Sequence, residues 1–167
     1  MTWAMLRAIV VLPGTALVLV PALLLWATGG LGAGAETATP GQLGFWLAAA
    51  LGAAGLGFAV WTASLFARIG QGTPAPWDPP KKLVVRGPYR HVRNPMIASV
   101  LALLAAEALL FQSWPLAAWL AVFFTANAIY FPLSEEPGLA RRFGDDYARY
   151  KAHVPRWLPR PKPWRQP

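Results

Sequence analysis

Residues 96–133 read MIASVLALLAAEALLFQSWPLAAWLAVFFTANAIYFPL, with Glu107 as the one charged residue among them. The stretch divides at Gln112-Ser113-Trp114-Pro115 into two apolar blocks, about Met96 to Phe111 and about Leu116 to Leu133. Each block is roughly 16–18 residues long, near the ~20 residues a helix needs to cross a hydrocarbon core of ~30 Å. The polar, Pro-bearing break between them predicts a tight helical hairpin with its turn near the far interface of a bilayer.

Two longer apolar blocks precede the hairpin, roughly Met5 to Ala27 and about Leu43 to Ala67. Both are long enough to span. The first follows a lone basic residue, Arg7, in the order of a secretory signal. It is longer than a usual signal core, and Gly29-Gly30-Leu31-Gly32-Ala33 is a poor cleavage context, so it is read as a retained span. The second block carries the small-residue pairs Ala48/Gly52 and Ala53/Gly57. Such pairs let helices approach closely in lipid. The Pro- and Gly-bearing stretch from Gly70 to Pro80 reads as a connector.

The charges fix the orientation. Of fifteen Lys and Arg residues, Arg7 precedes the first block. Arg68, Lys81, Lys82, Arg86, Arg90 and Arg93 lie between the second and third, and the other eight follow the fourth. Four spans put every basic segment on one side, which the positive-inside rule makes cytoplasmic. The formal charge of +8 is therefore a topology signal with some attraction to anionic lipid headgroups. It does not point to nucleic acid. The composition agrees: 56% hydrophobic and 13% charged, against about a quarter charged in a soluble domain. The absence of cysteine excludes disulfides, thiolate metal sites and Cys nucleophiles. His91 and His153 alone make no zinc site. No metal is expected.

The expected fold is thus all-α: a polytopic membrane protein of four transmembrane helices with a C-terminal amphipathic cytoplasmic helix. Residues 1–167 form one domain, with two helices in 1–69, a cytoplasmic connector in 70–95, the hairpin in 96–133 and a cytoplasmic segment in 134–167. It is read as a multi-pass protein of a bacterial or archaeal cell membrane with both termini cytoplasmic.

Two cytoplasmic segments differ from generic loops. In the first, Gly87-Pro88 sets a turn, Asn94 is placed to cap the third block and Pro95 suits its first turn. A helix N-terminus there, beside the fork-shaped donors of Arg86, Arg90 and Arg93, attracts carboxylates and phosphates. In the second, Ser134 reads as a cap, followed by Glu135, Glu136 and Pro137 in a first turn. Leu139, Phe143, Tyr147, Tyr150 and Val154 share one helical face. Arg141 with Asp145, and Asp145 with Arg149, are spaced as ion pairs. Glu135 and Glu136 at the membrane boundary call for a cation. Gly144 inside the helix, where glycine costs about 1 kcal/mol relative to alanine, suggests close approach by another group.

Together the two segments resemble the isoprenylcysteine carboxyl methyltransferase family, a relative of the phospholipid N-methyltransferases. The resemblance rests on Gly87-Pro88-Tyr89-Arg90-His91-Val92-Arg93-Asn94-Pro95-Met96, a short hairpin, then Glu135-Glu136, Leu139, Phe143-Gly144, Tyr147 and Tyr150. It covers roughly Leu83 to Trp164. Where the family pattern often reads Arg-His-Pro-x-Tyr, this chain has Arg93-Asn94-Pro95-Met96-Ile97. Asn94 keeps hydrogen-bonding capacity but cannot take up a proton, and Ile97 lacks the tyrosine hydroxyl.

The resemblance implies S-adenosylmethionine bound between the last two membrane helices and the C-terminal segment, with a lipid or lipidated acceptor entering from the bilayer. It assigns Glu136, with Glu135 second, to the positive end of the cofactor. Arg90 and Arg93 fall to its carboxylate or an anionic substrate group, and His91 and Asn94 to the adenosine. Tyr147 and Tyr150 pack over the pocket, and Asn127 is a polar contact from within the membrane. Arg93 and Glu136 are the residues placed at the chemistry. Glu107, about 11 residues into the third block and so roughly 16 Å along it, is remote from that centre. The acceptor reads as a lipid carboxylate of the isoprenylcysteine kind or a phospholipid amine. The alternatives are a non-catalytic membrane scaffold of the same fold and a sterol-reductase-like oxidoreductase, though no G-x-G-x-x-G fingerprint supports a dinucleotide.

Overall fold

The computed structural model describes residues 3–30, 32, 36–71 and 79–165, and every regular element among them is helical. The Gly70–Pro80 connector lies mostly outside the described residues, as do Leu31 and Ala33. The elements are α1 (Trp3–Gly14), α2 (Val20–Ala27), α3 (Leu43–Leu65), α4 (Pro95–Leu110), α5 (Trp114–Tyr130) and α6 (Glu136–His153). Short π turns join α1 to α2 (Thr15–Leu19), extend α3 (Phe66–Gly70) and join α5 to α6 (Phe131–Glu135).

Prolines accompany two of these π turns: Pro13 and Pro21 flank the first, and Pro132 lies within the second. Proline brings no N–H to the helical ladder and crowds the carbonyl four residues back, and here the backbone widens locally rather than breaking. Ala16 O, inside the first turn, accepts a 3.0 Å hydrogen bond from Trp119 Nε1 of α5. A widened turn thus ties the N-terminal helix to the bundle.

Among the described residues three helices are long and apolar enough to cross a membrane: Val10–Ala27, Leu43–Gly70 and the run that starts at Trp114. The fourth apolar helix, α4, is shorter, at 16 residues. The run from Trp114 to His153 is 40 residues without a loop. A rod of that length would measure ~60 Å, twice a hydrocarbon core. Its apolar part ends near Leu133, and the charged part from Glu135 onward lies outside the span. Ser134 is therefore not a cap: it sits within the continuous helix, in the π turn. Outward-facing side chains such as Val18, Leu56, Val60, Val122 and Ile129 are more than half exposed, as a lipid-facing surface requires.

The tightest packing is α3 on α4. Ala48 is buried, Gly52 faces Ala106, and a Cβ on Gly55 would meet Leu103, Ser99 O and Ala102 at 3.1–3.3 Å. Gly57 faces open space and Ala53 is exposed. The contact stripe is Ala48–Gly52–Gly55, not the second pair read from sequence. At the end of the bundle remote from the basic segments, Gln112 in a left-handed conformation turns α4 into α5. Its amide donates to Gln42 Oε1 at 2.8 Å, and Ala38 N donates to Leu110 O at 2.7 Å.

At the basic end, α6 bends sharply at Gly144, whose φ of 52° and ψ of −129° are open essentially to glycine alone. Nothing lies within 4 Å of a Cβ built there. The glycine serves the bend, not the close approach expected from sequence. The bend breaks the Arg141/Asp145 spacing. The ion pair observed within this limb is Asp146 with Arg149 at 2.6 Å, three residues apart rather than four. It also turns the second limb back, so that Tyr147, Tyr150 and Val154 bury with Trp164 in a core edged by Leu83, Val85, Leu139 and Phe143.

Two substitutions test this packing. Gly55→Ala should cost about 1–3 kcal/mol by overpacking the α3–α4 contact, whereas Gly57→Ala should be neutral. Gly144→Ala should cost about 1–3 kcal/mol through backbone strain alone. Thermal unfolding in detergent measures both. Equal midpoints for the two α3 variants would overturn the assigned face.

Candidate active site

A cavity of about 530 Å³ opens between the basic ends of the helices, within the ~300–1,000 Å³ usual for small-molecule sites. Its inner wall is apolar, built by Leu12 and Ala16 of the N-terminal rod, Val100 of α4 and Phe123 of α5. Its outer wall is polar: Tyr89, Arg93, Asn94, Ser134, Glu135 and Arg142. Asn127 stands between the two.

Three polar atoms of this wall are buried without a hydrogen-bond partner: Tyr89 Oη, Arg93 Nε and Asn94 Nδ2. Such atoms normally cost 1–3 kcal/mol each when left unpaired. Asn94 occupies the N-cap position of α4, but its side chain makes no capping bond. Its carbonyl starts the helix, accepting from Ala98 N at 3.1 Å. Asn127 Nδ2 donates to Phe123 O of its own helix at 2.8 Å, not to a neighbouring helix. Burial pushes the Glu135 carboxyl above its usual range, with Arg142 pulling it back in part.

Beside the cavity, Glu136 is only 4% exposed and gathers three cations. Arg93 Nη1 donates to Oε1 at 2.8 Å and Arg156 Nε donates to the same oxygen at 2.9 Å. Lys151 Nζ lies 2.8 Å from Oε2 as an ion pair. Lys151 is fifteen residues beyond Glu136. A straight helix would hold them ~22 Å apart, so the Gly144 bend is what lets them meet. Arg93 Nη1 also reaches Tyr147 Oη at 3.5 Å. Burial alone would raise the Glu136 carboxyl, but Lys151, Arg93 and Arg156 together hold it below its ordinary value.

The residues singled out from sequence therefore fall into three groups. Arg93, Asn94, Asn127 and Glu135 line the cavity. Glu136 is engaged by cations at its edge. Arg90 and His91 face the C-terminal tail: Arg90 Nε donates to Trp164 O at 2.7 Å, and His91 Nδ1 pairs with Arg160 O at 2.8 Å. Tyr150 Oη donates to Tyr89 O at 2.7 Å, beneath the cavity. Glu107 lies in the last turn of α4, away from the lining, with Oε2 buried and unpartnered.

Sequence reasoning passed over Tyr89, Ser134 and Arg142, and the contribution of the N-terminal rod. A signal for Arg142 existed. Phe123, Asn127, Phe131, Glu135, Gly138 and Arg142 recur at three- and four-residue steps, one helical face. That face is continuous only if α5 and α6 are read as one helix.

The ion cluster generates a prediction. Glu136→Gln leaves three cations facing one another and should cost about 3 kcal/mol, moderated because Lys151 is half-exposed. A carboxyl with a depressed folded-state pKa stabilises above its unfolded value and loses that contribution as pH falls through the folded value. The wild type should thus lose stability below about pH 4.5 in a step that the Gln variant lacks. Parallel acid unfolding curves for the two proteins would refute this.

A family model described as phospholipid methyltransferase matches residues 43–146. The match takes in α3, α4, α5 and the first limb of α6, together with the polar wall of the cavity. No curated protein and no solved structure matches the chain. With more than half of its length inside that match and helices apolar enough to cross a bilayer, this integral membrane protein belongs to the phospholipid methyltransferase family.

Proposed function

We propose that the cavity binds S-adenosylmethionine and that the protein methylates a membrane lipid. The observation that carries this is the set of unpartnered donors, Tyr89 Oη, Arg93 Nε and Asn94 Nδ2, on the same wall as the Glu135 carboxylate. Donors and a carboxylate in one enclosure suit a ligand that bears both a carboxylate and positive charge.

When bound, S-adenosylmethionine supplies a methyl group already activated on sulfur, so the protein's task is positioning and exclusion of water. Glu135 offers its carboxylate to the cationic end. Arg93 holds an anionic group through Nε while Nη1 remains fixed by Glu136. Glu136 is thus a positioning residue, and Glu135 takes the direct role. Asn94 Nδ2 and Tyr89 Oη donate to nucleoside acceptors, and Asn127 offers its free Oδ1. Arg90, His91, Tyr147 and Tyr150 brace the floor. The apolar inner wall keeps water out and accommodates hydrocarbon of the acceptor.

The same reading has four spans in one domain, both termini cytoplasmic. The α4 helix, ~24 Å long, crosses with local thinning of the bilayer, and all basic segments then share one side. The family match favours a phospholipid amine as acceptor over an isoprenylcysteine-like carboxylate.

The test uses purified protein in nanodiscs with methyl-labelled S-adenosylmethionine and a membrane lipid extract. Label should enter lipid, and mild base should leave it bound to nitrogen on the deacylated headgroup instead of releasing it as methanol, as it would from a methyl ester. Glu135→Gln and Asn94→Ala should each weaken cofactor binding about tenfold, while Asp146→Asn leaves it unchanged. Binding indifferent to both cavity variants would sink the assignment.

A further inference from the structure

After His153 the chain reverses and returns along the membrane helices. Arg93 N donates to Pro155 O at 2.9 Å, Arg160 N to His91 O at 3.0 Å, and Trp164 N to Arg90 O at 2.9 Å. These bonds pin a strap, residues 154–165, across the segment that carries Arg90 to Arg93. Val154 and Trp164 are buried, and the Trp164 ring stacks on His153.

The middle of the strap behaves differently. The Trp157 ring lies 6.2 Å from Phe131 and 5.2 Å from Phe124. Phe124 is seven residues, ~10 Å, farther into α5 than Phe131. Trp157 therefore reaches back beside the apolar span rather than away from it. The next residue, Leu158, is 81% exposed among the described residues. The sequence from Tyr147 to the end contains no acidic residue and six basic ones, Arg149, Lys151, Arg156, Arg160, Lys162 and Arg165. Arg156 and Arg160 are held by Glu136 and His153 O, while Lys162 and Arg165 are exposed.

We propose that Trp157 and Leu158 re-enter the bilayer interface on the basic side and that Lys162 and Arg165 hold anionic phospholipid headgroups around them. Tryptophan favours the interface because one part of its ring system is apolar and the other donates a hydrogen bond. Leu158 gains by leaving water. Basic residues next to an apolar anchor add attraction to anionic lipid, and two signals anchor where one is marginal. The occupant is therefore the lipid of the same membrane, not a second protein. The inference stands apart from the methyl-donor reading, since it needs no ligand in the cavity.

The chain has no cysteine, so a single Cys can be spin-labelled without background. Pro159→Cys, at an exposed position, carries the label beside an intact Leu158. Asp146→Cys, on the outer limb of α6, is the aqueous reference. In nanodiscs of phosphatidylethanolamine with phosphatidylglycerol, the label at 159 should be about tenfold less accessible to a water-soluble nickel chelate than the label at 146, and more accessible to oxygen. Adding Leu158→Asp should reverse this without shifting the thermal midpoint, because Leu158 lies outside the folded core. Replacing Lys162 and Arg165 by Gln, or using phosphatidylcholine alone, should reduce the immersion. Equal nickel accessibility at 146 and 159 overturns the proposal, and equal immersion in phosphatidylcholine overturns the anionic headgroup assignment.

Discussion

The basic end of this protein is held together around one carboxylate. Glu136 draws in Arg93 from the start of α4, Lys151 from the returned limb of α6 and Arg156 from the tail. These three cations come from three different stretches of the chain, and backbone bonds such as Arg93 N to Pro155 O reinforce their meeting. A buried ion cluster gains little over an apolar one of the same shape, because desolvation offsets most of the attraction. What it does provide is a fixed arrangement: removing the anion leaves an arrangement with no acceptable alternative. The orientation of Arg93, and with it the unpaired Nε at the cavity wall, follows from this constraint.

The membrane half rests on different physics. Apolar contact gives helices in lipid no net drive to associate, since the tails are equally apolar. Close approach therefore falls to small residues, and Gly55 of α3 lies against the backbone of α4 at Ser99. Hydrogen bonds across elements are few and well placed, as between Trp119 and Ala16 O. The cavity forms where these two halves meet, with hydrocarbon-like walls on one side and unpaired donors on the other.

Much of this was legible in the residues. The four apolar blocks correspond to helices, the hairpin turn falls at Gln112, and Arg93, Asn94, Asn127 and Glu135 line one cavity. One feature is hidden by a false boundary: Ser-Glu-Glu-Pro has the composition of a helix start, which predicts a break at Ser134. The helix in fact runs through Pro132 by widening one turn, an outcome that depends on tertiary packing rather than on local propensity. A break there hides the stripe from Phe123 to Arg142 that lines the cavity. Gly144 was visible as an anomaly, but only the backbone angles reveal that it reverses direction. The contribution of the N-terminal rod had no sequence signal, since Leu12 and Ala16 look like any other lipid-facing residues.

The absence of a loop between α5 and α6 has a mechanical consequence. A loop would isolate the charged limb from the membrane segment, but a continuous helix transmits rotation. A helix longer than the local hydrocarbon thickness tilts to fit. Glu135 and Arg142 ride on that helix and Arg93 and Asn94 on the start of the separate α4, and the Arg93–Glu136 ion pair clamps the two beside the cavity. The clamp thus sits where a tilting load between the two helices would be borne.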